Sequence, residues 1–212
     1  MTEPRAQIAI VDYGMGNLRS VAKALEHVGA EVVVTADHGA IGAADALVLP
    51  GVGAFPEAMR RIGERSLDRL IADRVRESVP LLGICLGMQL LFESSTEHGG
   101  APGLGLLPGP VDALRAPGLK LPHIGWSPLR LERNSGLTTG VAEGEPFYFV
   151  HSYVARALPE HVVAASDHGE GFAAIVGADN VFGTQFHPEK SSAAGLLMLA
   201  NFVSIAAPLA VG

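Results

Sequence analysis

The only cysteine of the sequence, Cys85, lies in a pattern that is typical of a catalytic nucleophile. It is the centre of Gly-Ile-Cys-Leu-Gly at residues 83–87, between a predicted strand and a predicted helix. A nucleophile on so sharp a turn crowds its neighbours, and glycines two positions away on each side relieve the crowding. The helix start at Leu86 favours a thiolate, and the Leu86 amide is placed to hold an oxyanion. A buried apolar cysteine is the alternative, but the flanking glycines favour the nucleophile.

A thiol nucleophile needs a base, and the base needs a group that orients it. Among the eight histidines, His187 is the best candidate because it lies in Phe-His-Pro-Glu at residues 186–189. Pro188 disfavours helix at His187, and in an extended segment residues i and i+2 face the same side. We therefore expect Glu189 to bind one ring nitrogen of His187 and to leave the other for Cys85, as in a Cys-His-acid triad.

Two Gly-x-Gly loops follow predicted strands, at residues 14–16 and 51–53, but neither predicts a nucleotide site. The third glycine of the dinucleotide fingerprint is replaced by Arg19 in the first loop and by Pro56 in the second. No phosphate-binding Gly-x-x-x-x-Gly-Lys-Ser/Thr pattern occurs either. The second loop suits a different task, since its peptide groups can turn and present N–H groups to a ligand.

The histidines of the sequence do not predict a metal site. His187 and Glu189 could ligate a metal, but no second His or Cys cluster joins them, so we expect neither a metal nor a cofactor. His123 and His151 lie in glycine-rich or aromatic-rich stretches. We expect these two to line a pocket or to pack in the core.

The elements that must position these residues alternate along the first half of the chain. Nearly continuous apolar runs predict strands at residues 7–11, 31–35, 45–49 and 80–84. Helical spacing of apolar residues predicts helices at residues 18–28, at 55–79 in one or two pieces, and at 86–93. This alternation indicates a parallel sheet with helices on both faces.

After Gly99, glycine-proline clusters separate short strands, several of which look antiparallel. These strands are predicted at residues 111–114, 127–131, 147–154, 162–166, 172–176 and 181–186. The uncharged stretch 191–212 is predicted to be a buried C-terminal helix rather than a membrane anchor, because polar residues, Gly195 and Pro208 interrupt it. We expect one α/β domain over residues 1–212, with a mostly parallel central sheet, helices on both faces and an antiparallel extension.

The composition excludes several classes of function. Hydrophobic residues make up 48% of the chain, which excludes disorder for most of it. The net charge of −7 argues against non-specific nucleic-acid binding and against docking on anionic membranes. The first twenty residues lack the basic start and apolar block of a secretory signal. With a single cysteine no intramolecular disulfide can form, so we expect a reducing, cytoplasmic location.

At its two chemical motifs the sequence resembles the class I, or triad, glutamine amidotransferases. The elbow Gly-Ile-Cys-Leu-Gly-Met-Gln and the segment Phe-His-Pro-Glu, in that order, are the main motifs of this family. The resemblance covers nearly the whole chain and includes residues 12–17, 50–53, 83–94, 122–126, 148–153 and 185–192. The first and fourth of these segments resemble one branch of the family, whose members supply ammonia for histidine biosynthesis.

The resemblance implies a fold like that of the class I glutamine amidotransferases and a role for each site residue. Cys85 would attack the side-chain amide of glutamine, His187 would activate the thiol and protonate the departing ammonia, and Glu189 would orient His187. The amides of the implied oxyanion hole belong to Val52, Gly53 and Leu86. The residues implied to bind glutamine are Gln89, Glu97, Ser152 and Tyr153.

A second polypeptide is expected to receive the ammonia, because the predicted elements use the whole chain and leave no acceptor domain. The resemblance implies that this partner is a cyclase with a (β/α)₈ barrel, joined to the chain as a heterodimer. The partner must cover the mouth of the site, at the carboxyl ends of the parallel strands. The interface candidates beside the triad are Trp126, Tyr148 and Lys190.

Three other functions stay open from the sequence. A stand-alone cysteine hydrolase, such as a γ-glutamyl hydrolase or a peptidase, would use the same triad. An amidotransferase subunit of another synthase would share both motifs. A binding or regulatory subunit with an inactive site is the third, and the intact set of Cys85, His187 and Glu189 argues against it.

Overall fold

The computed structural model describes residues 5–207, which form fourteen strands and six α-helices. The strands are β1 (Gln7–Val11), β2 (Glu31–Thr35), β3 (Ala46–Gly51), β4 (Leu81–Cys85), β5 (Phe92–Ser95), β6 (Ala101–Pro102), β7 (Leu107–Ala113), β8 (His123–Pro128), β9 (Arg130–Leu131), β10 (Pro146–His151), β11 (Tyr153–Ala155), β12 (Val162–Asp167), β13 (Gly171–Ala178) and β14 (Val181–Thr184). The helices are α1 (Leu18–His27), α2 (His38–Ala43), α3 (Phe55–Glu64), α4 (Leu67–Arg76), α5 (Leu86–Leu90) and α6 (Ser192–Ala206). None of these helices has the length and apolar character needed to cross a membrane.

The central sheet has eight strands in the order β2-β1-β3-β4-β14-β13-β12-β9. The five strands from β2 to β14 are parallel, and the three beyond them pair antiparallel. Every residue of β3 and β4 is buried, as expected for central strands with both faces covered. The predicted fold class, a mostly parallel sheet with an antiparallel extension, is therefore confirmed.

Helices cover both faces of this sheet because successive residues of each strand point to opposite sides. Along β1, Ile8 and Ile10 pack in the cluster that contains the apolar faces of α1 and α6. Ala9 and Val11 pack in the other cluster, with the apolar residues of α2, α3 and α4. The central sheet thus lies between two hydrophobic layers, and its strand ends are left as the place for a site.

Two smaller sheets lie beyond the central one. Strands β8 and β10 form an antiparallel ribbon, with His123 opposite His151 and Trp126 opposite Tyr148. The other sheet has the order β11-β7-β5-β6. Because β11 follows β10 after Ser152 alone, the chain passes from one small sheet to the other beside this residue.

Several predicted boundaries were wrong for identifiable reasons. The helix predicted over residues 86–93 ends at Leu90, because Phe92–Ser95 pairs with β7 as a strand. The strand predicted over 147–154 is divided at Ser152 into β10 and β11. The strand predicted over 127–131 is divided in the same way, between β8 and β9. These pairings join segments that are distant in sequence, which local patterns do not reveal.

Two predictions extend beyond the described residues. The predicted C-terminal helix is present as α6, but residues 208–212 lie outside the described part of the chain. The single domain predicted over residues 1–212 also includes residues 1–4, which lie outside it at the other end. The extent of that domain therefore stays a prediction.

The turn between β4 and α5 is possible only with glycine at two positions. A Cβ atom at Gly87 would lie 1.7 Å from the carbonyl oxygen of Leu49, and one at Gly83 would lie 2.6 Å from the carbonyl oxygen of Gly87. Cys85 between them has φ 55° and ψ −113°, a conformation that non-glycine residues rarely adopt. The close approach of α5 to β3 therefore holds the cysteine in a strained conformation.

We predict that Gly87→Ala lowers the free energy of unfolding by about 3 kcal/mol, because the added methyl group forces α5 away from β3. The control is Gly63→Ala in α3, where a Cβ would meet nothing within 4 Å. That change should raise the free energy of unfolding by about 0.5 kcal/mol, since alanine favours helix more than glycine does. Urea unfolding of both variants and the wild type measures the difference. Wild-type stability in Gly87→Ala would contradict the close-packing argument.

Candidate active site

Cys85 lies at the carboxyl end of β4, where the central parallel strands end. Only 6% of the surface of this residue is exposed to solvent. The Sγ atom is 3.8 Å from the carbonyl oxygen of Val150 and 3.9 Å from Nε2 of Gln185. Leu86 begins α5 directly after the thiol, as predicted, although this helix is only five residues long. The thiol is therefore nearly enclosed but borders the pocket described below.

His187 and Glu189 meet as expected, but the extended segment predicted between them is wrong: only His187 is extended, and Pro188–Lys190 forms a short 3₁₀ helix. Nδ1 of His187 is 2.9 Å from Oε1 of Glu189, so the ring donates its Nδ1 proton to the carboxylate and leaves Nε2 for Cys85. Burial alone would lower the pKa of His187, but its hydrogen bonds with Cys85 and Glu189 raise that pKa to about 9. These two contacts therefore favour the imidazolium form of His187.

The carboxylate of Glu189 has one oxygen in use and one without a hydrogen-bond partner among the described residues. Its side chain is fully buried, and Oε2 is the atom without a partner. A small space lined by Glu189, Asn17 and residues 50–52 adjoins it and cannot hold a water molecule. The carboxylate is therefore screened from solvent and acts through a single strong contact with His187.

A pocket of about 330 Å³ opens beside Cys85. Cys85, His187 and Lys190 line it. All the residues predicted for the oxyanion hole and for glutamine binding line it as well, namely Val52, Gly53, Leu86, Gln89, Glu97, Ser152 and Tyr153. Larger grooves exist elsewhere on the surface, but they contain none of the triad residues. The structure thus brings these predicted residues to one place.

Gln89 can offer this pocket only one kind of hydrogen bond. Its Nε2 group donates to the carbonyl oxygen of Tyr153 at 2.9 Å and to Oε1 of Gln185 at 3.0 Å. Both donor hydrogens are therefore in use within the protein, and the amide oxygen is left to accept. A ligand group that meets Gln89 must be a donor, such as an amide NH₂ or an ammonium.

Glu97 both lines the pocket and contacts the loop opposite. One carboxylate oxygen, Oε2, accepts a hydrogen bond of 2.7 Å from the backbone N–H of Phe55 at the start of α3. The side chain is 13% exposed, and Oε1 is not held by this contact. Glu97 therefore presents negative charge at the pocket wall while it is fixed at one end.

The two histidines of the β8–β10 ribbon form a directional hydrogen-bond chain. Nδ1 of His151 donates to the carbonyl oxygen of Tyr153 at 3.1 Å, which leaves Nε2 to accept from Nδ1 of His123 at 3.1 Å. Nε2 of His123 then accepts from the hydroxyl of Ser127 at 3.0 Å. The ring of His168 stacks on that of His123, with ring centroids 4.2 Å apart. The sequence left open whether these residues line a pocket; His151 does, and His123 is buried behind it.

The outward face of the ribbon is apolar and lies next to the pocket mouth. Trp126 is 51% exposed and contacts Tyr148 edge to face, with ring centroids 5.9 Å apart. Lys190 is exposed and lines the pocket. Sequence reasoning missed Ile124, another apolar side chain of β8, which is 61% exposed. The alternation of Ile124 and Trp126 with His123, Gly125 and Ser127 is the signal that could have revealed it.

The described residues contain no group of three or more His, Cys, Asp or Glu side chains arranged to hold a metal ion. His187 and Glu189 instead contact each other directly. The chemistry that this arrangement can perform is nucleophilic attack by a thiol on a carbonyl group, with proton transfer through an imidazole.

The chain belongs to the class I glutamine amidotransferases, since the family model described as Glutamine amidotransferase class-I matches residues 9–206. Within this family it is similar to Imidazole glycerol phosphate synthase subunit HisH of Bacillus cereus (strain G9842), with 50% identity over 198 residues that cover 93% of this chain and 94% of the relative. The HisH subunit of Bacillus anthracis (strain A0248) is 48% identical over the same shares. These matches confirm the family and the branch that the motifs suggested.

Solved structures support the fold. A putative GMP synthase protein from Thermoplasma acidophilum matches with a TM-score of 0.72 at 22% identity, and the match covers 97% of this chain and 96% of that one. The structure of PurLQS from Thermotoga maritima matches with the same TM-score and identity, and covers 95% of this chain and 99% of that one. At this level of identity the likeness concerns the fold alone.

The ribbon histidines predict a loss of stability in acid. Burial, followed by the charge of His168, lowers the pKa of His123 from 6.5 to about 4, and burial, followed by His123, lowers the pKa of His151 to about 3. Below pH 6.5 the unfolded chain takes up protons that the folded chain excludes, so stability falls as the pH drops towards 4.

We predict that His123→Gln reduces this loss by about 1–2 kcal/mol between pH 7 and pH 5, because one pKa unit corresponds to about 1.4 kcal/mol. Urea unfolding at several pH values gives the slope for each protein. His27→Gln on the exposed side of α1 is the control and should keep the wild-type slope. A wild-type slope in His123→Gln would show that this ring accepts a proton while folded.

Proposed function

We propose that this chain is the glutaminase subunit of an imidazole glycerol phosphate synthase. The observation that carries the proposal is the buried contact of His187 with Glu189 beside the only thiol, Cys85, at the wall of a pocket. The sequence identity of 48–50% to HisH subunits, over nearly the full length of both chains, supports imidazole glycerol phosphate synthase as the enzyme that this subunit serves.

The reaction begins when the Cys85 thiolate attacks the side-chain carbonyl carbon of glutamine. The oxyanion that forms is stabilised by backbone N–H groups of Leu86 and of the Val52–Gly53 region. The His187 imidazolium then gives its Nε2 proton to the departing nitrogen, and ammonia leaves a γ-glutamyl thioester on Cys85. Neutral His187 next takes a proton from water, whose oxygen attacks the thioester, and glutamate is released as the thiolate returns.

The pocket wall suits the amino-acid end of glutamine. Glu97 offers a carboxylate to the α-ammonium group, and the amide oxygen of Gln89 accepts from a ligand N–H group. The backbone around Ser152 and Tyr153 borders the same space and offers further polar groups. The position of Tyr153 is held by the hydrogen bonds that its carbonyl oxygen accepts from Gln89 and His151.

The released ammonia passes to a second polypeptide, which is a cyclase with a (β/α)₈ barrel that forms a heterodimer with this chain. There it completes the formation of imidazole glycerol phosphate and an aminoimidazole carboxamide ribotide in histidine biosynthesis. The apolar outer face of the β8–β10 ribbon, with Trp126 and Tyr148, supports docking at the pocket mouth. An apolar surface rimmed by polar groups such as Lys190 is typical of a protein interface.

The test of this division of labour is Cys85→Ala in the complex. Glutamine-dependent synthesis should fall by about 10⁶-fold, whereas synthesis from added ammonium should match the wild type, because the thiol serves only ammonia release. His187→Ala should behave alike, and Glu189→Gln should cost less because it only orients the base. Equal loss of both activities in Cys85→Ala would refute the proposal, and so would fast glutaminase or peptidase turnover by the chain without any partner.

The docking face has its own test, a titration of the partner against Lys190→Ala, Trp126→Ala and Tyr148→Ala. We expect each to weaken binding, and loss of the Lys190 contact to cost about 1.5–3 kcal/mol if the ammonium meets a carboxylate. Lys23→Ala, an exposed lysine on α1, is the matched control. Unchanged affinity, with an unchanged ratio of ammonia released to imidazole product formed, would place the interface elsewhere.

A further inference from the structure

The loop that joins β3 to α3 is fixed at both ends and free in the middle. Among the described residues, the backbone groups of Val52 and Gly53 have no hydrogen-bond partner. Val52 is 42% exposed and Gly53 has φ 103°. The residues on each side of this pair, Pro50 and Phe55, are held by side chains from other parts of the chain.

Tyr13 holds the start of the loop. Its side chain is fully buried just after β1, and its hydroxyl donates to the carbonyl oxygen of Pro50 at 2.7 Å. The same hydroxyl is so close to the next residue that a Cβ atom at Gly51 would lie 2.5 Å from it. The hydroxyl therefore fixes the plane of the peptide between Pro50 and Gly51, directly before the free segment.

Glu97 holds the end of the loop. Its Oε2 atom accepts the N–H of Phe55, the first residue of α3, at 2.7 Å. The Phe55 side chain is fully buried, so this end cannot move without disturbing the core. Glu97 is itself positioned by its own backbone N–H, which donates to Oγ of Ser95 at 3.1 Å. The carboxylate that lines the glutamine pocket is thus also the anchor of the loop.

We propose that Tyr13 and Glu97 are positioning residues that fix the two ends of the loop between β3 and α3. This loop contains Val52 and Gly53 of the proposed oxyanion hole, and with its ends fixed only the peptides around Val52 can turn. This inference rests on the proposed glutaminase function. With both ends fixed, the Val52 N–H is presented to the developing oxyanion without a search through other loop conformations. Glu97 joins the two tasks, because the same carboxylate contacts the loop and faces the amino end of the substrate.

The first test is Tyr13→Phe in the complex with the synthase partner. Phenylalanine fills the same space, so the change removes only the hydroxyl and frees the Pro50 carbonyl. We expect kcat for glutamine to fall about three- to tenfold, the equivalent of one hydrogen bond, with KM and ammonium-dependent synthesis unchanged. The matched control is Thr138→Val, which removes another buried hydroxyl that donates to a carbonyl, that of Ser135, outside the loop.

Alkylation of Cys85 by iodoacetamide separates loop positioning from damage to the thiol. This displacement needs the thiolate but forms no oxyanion, so its rate should be the same in wild type, Tyr13→Phe and Thr138→Val. A parallel fall of alkylation and kcat in Tyr13→Phe would show that the hydroxyl acts on the thiol, and would overturn the inference. An unchanged or higher kcat would overturn it as well.

The second test compares Glu97→Gln with Glu97→Ala. Glutamine keeps an oxygen that can accept from Phe55 but loses the charge, so KM should rise at least tenfold while kcat stays within about twofold of wild type. Alanine loses both contacts, so KM should rise and kcat should fall about three- to tenfold. Equal kcat values in the two variants would overturn the anchoring role of Glu97. Absence of glutamine-dependent synthesis in the wild-type complex would instead overturn the proposed function, and the inference with it.

Discussion

The close approach of α5 to β3 at Gly87 is the constraint on which the rest of the structure depends. No side chain fits between Gly87 and the carbonyl oxygen of Leu49. The turn from β4 to α5 places Cys85 at φ 55°. Strain of this kind persists only where the surroundings hold it in place, and here the buried strands β3 and β4 do so. The parallel sheet therefore supports the turn at Cys85, and the pocket lies beside this turn at the ends of the strands.

Electrostatics affect the buried histidines of the site in opposite ways. The hydrogen bonds of His187 with Cys85 and with the fully buried Glu189 raise the pKa of this ring. Burial lowers the pKa of His151, whose Nδ1 proton is donated to the carbonyl oxygen of Tyr153. The two imidazoles that line the pocket, His187 and His151, therefore differ in their affinity for a proton.

The sequence was sufficient for the parts that are local. The elbow at Cys85 depends on neighbouring glycines and was predicted correctly, as was the order of the first four parallel strands. The extended segment from His187 to Glu189 was wrong beyond His187, since Pro188–Lys190 forms a 3₁₀ helix, and α2 was not predicted. The histidine chain depends on the pairing of β8 with β10, and the early end of α5 depends on the pairing of β5 with β7. These contacts join distant segments, so no window of sequence contains their cause. The anchoring of the loop by Tyr13 and Glu97 was missed for the same reason.

The sequence has one cysteine, the residue that we propose as the nucleophile, and this determines what happens when the protein meets an oxidant. Oxidation of Cys85 would yield a sulfenic acid, which other proteins rescue by forming a disulfide with a second cysteine. The 212-residue sequence has no second cysteine, so repair requires an external thiol that can reach a residue only 6% exposed. Without such a reductant, oxidation continues to the sulfinic level, and each oxidised molecule is lost to catalysis for good.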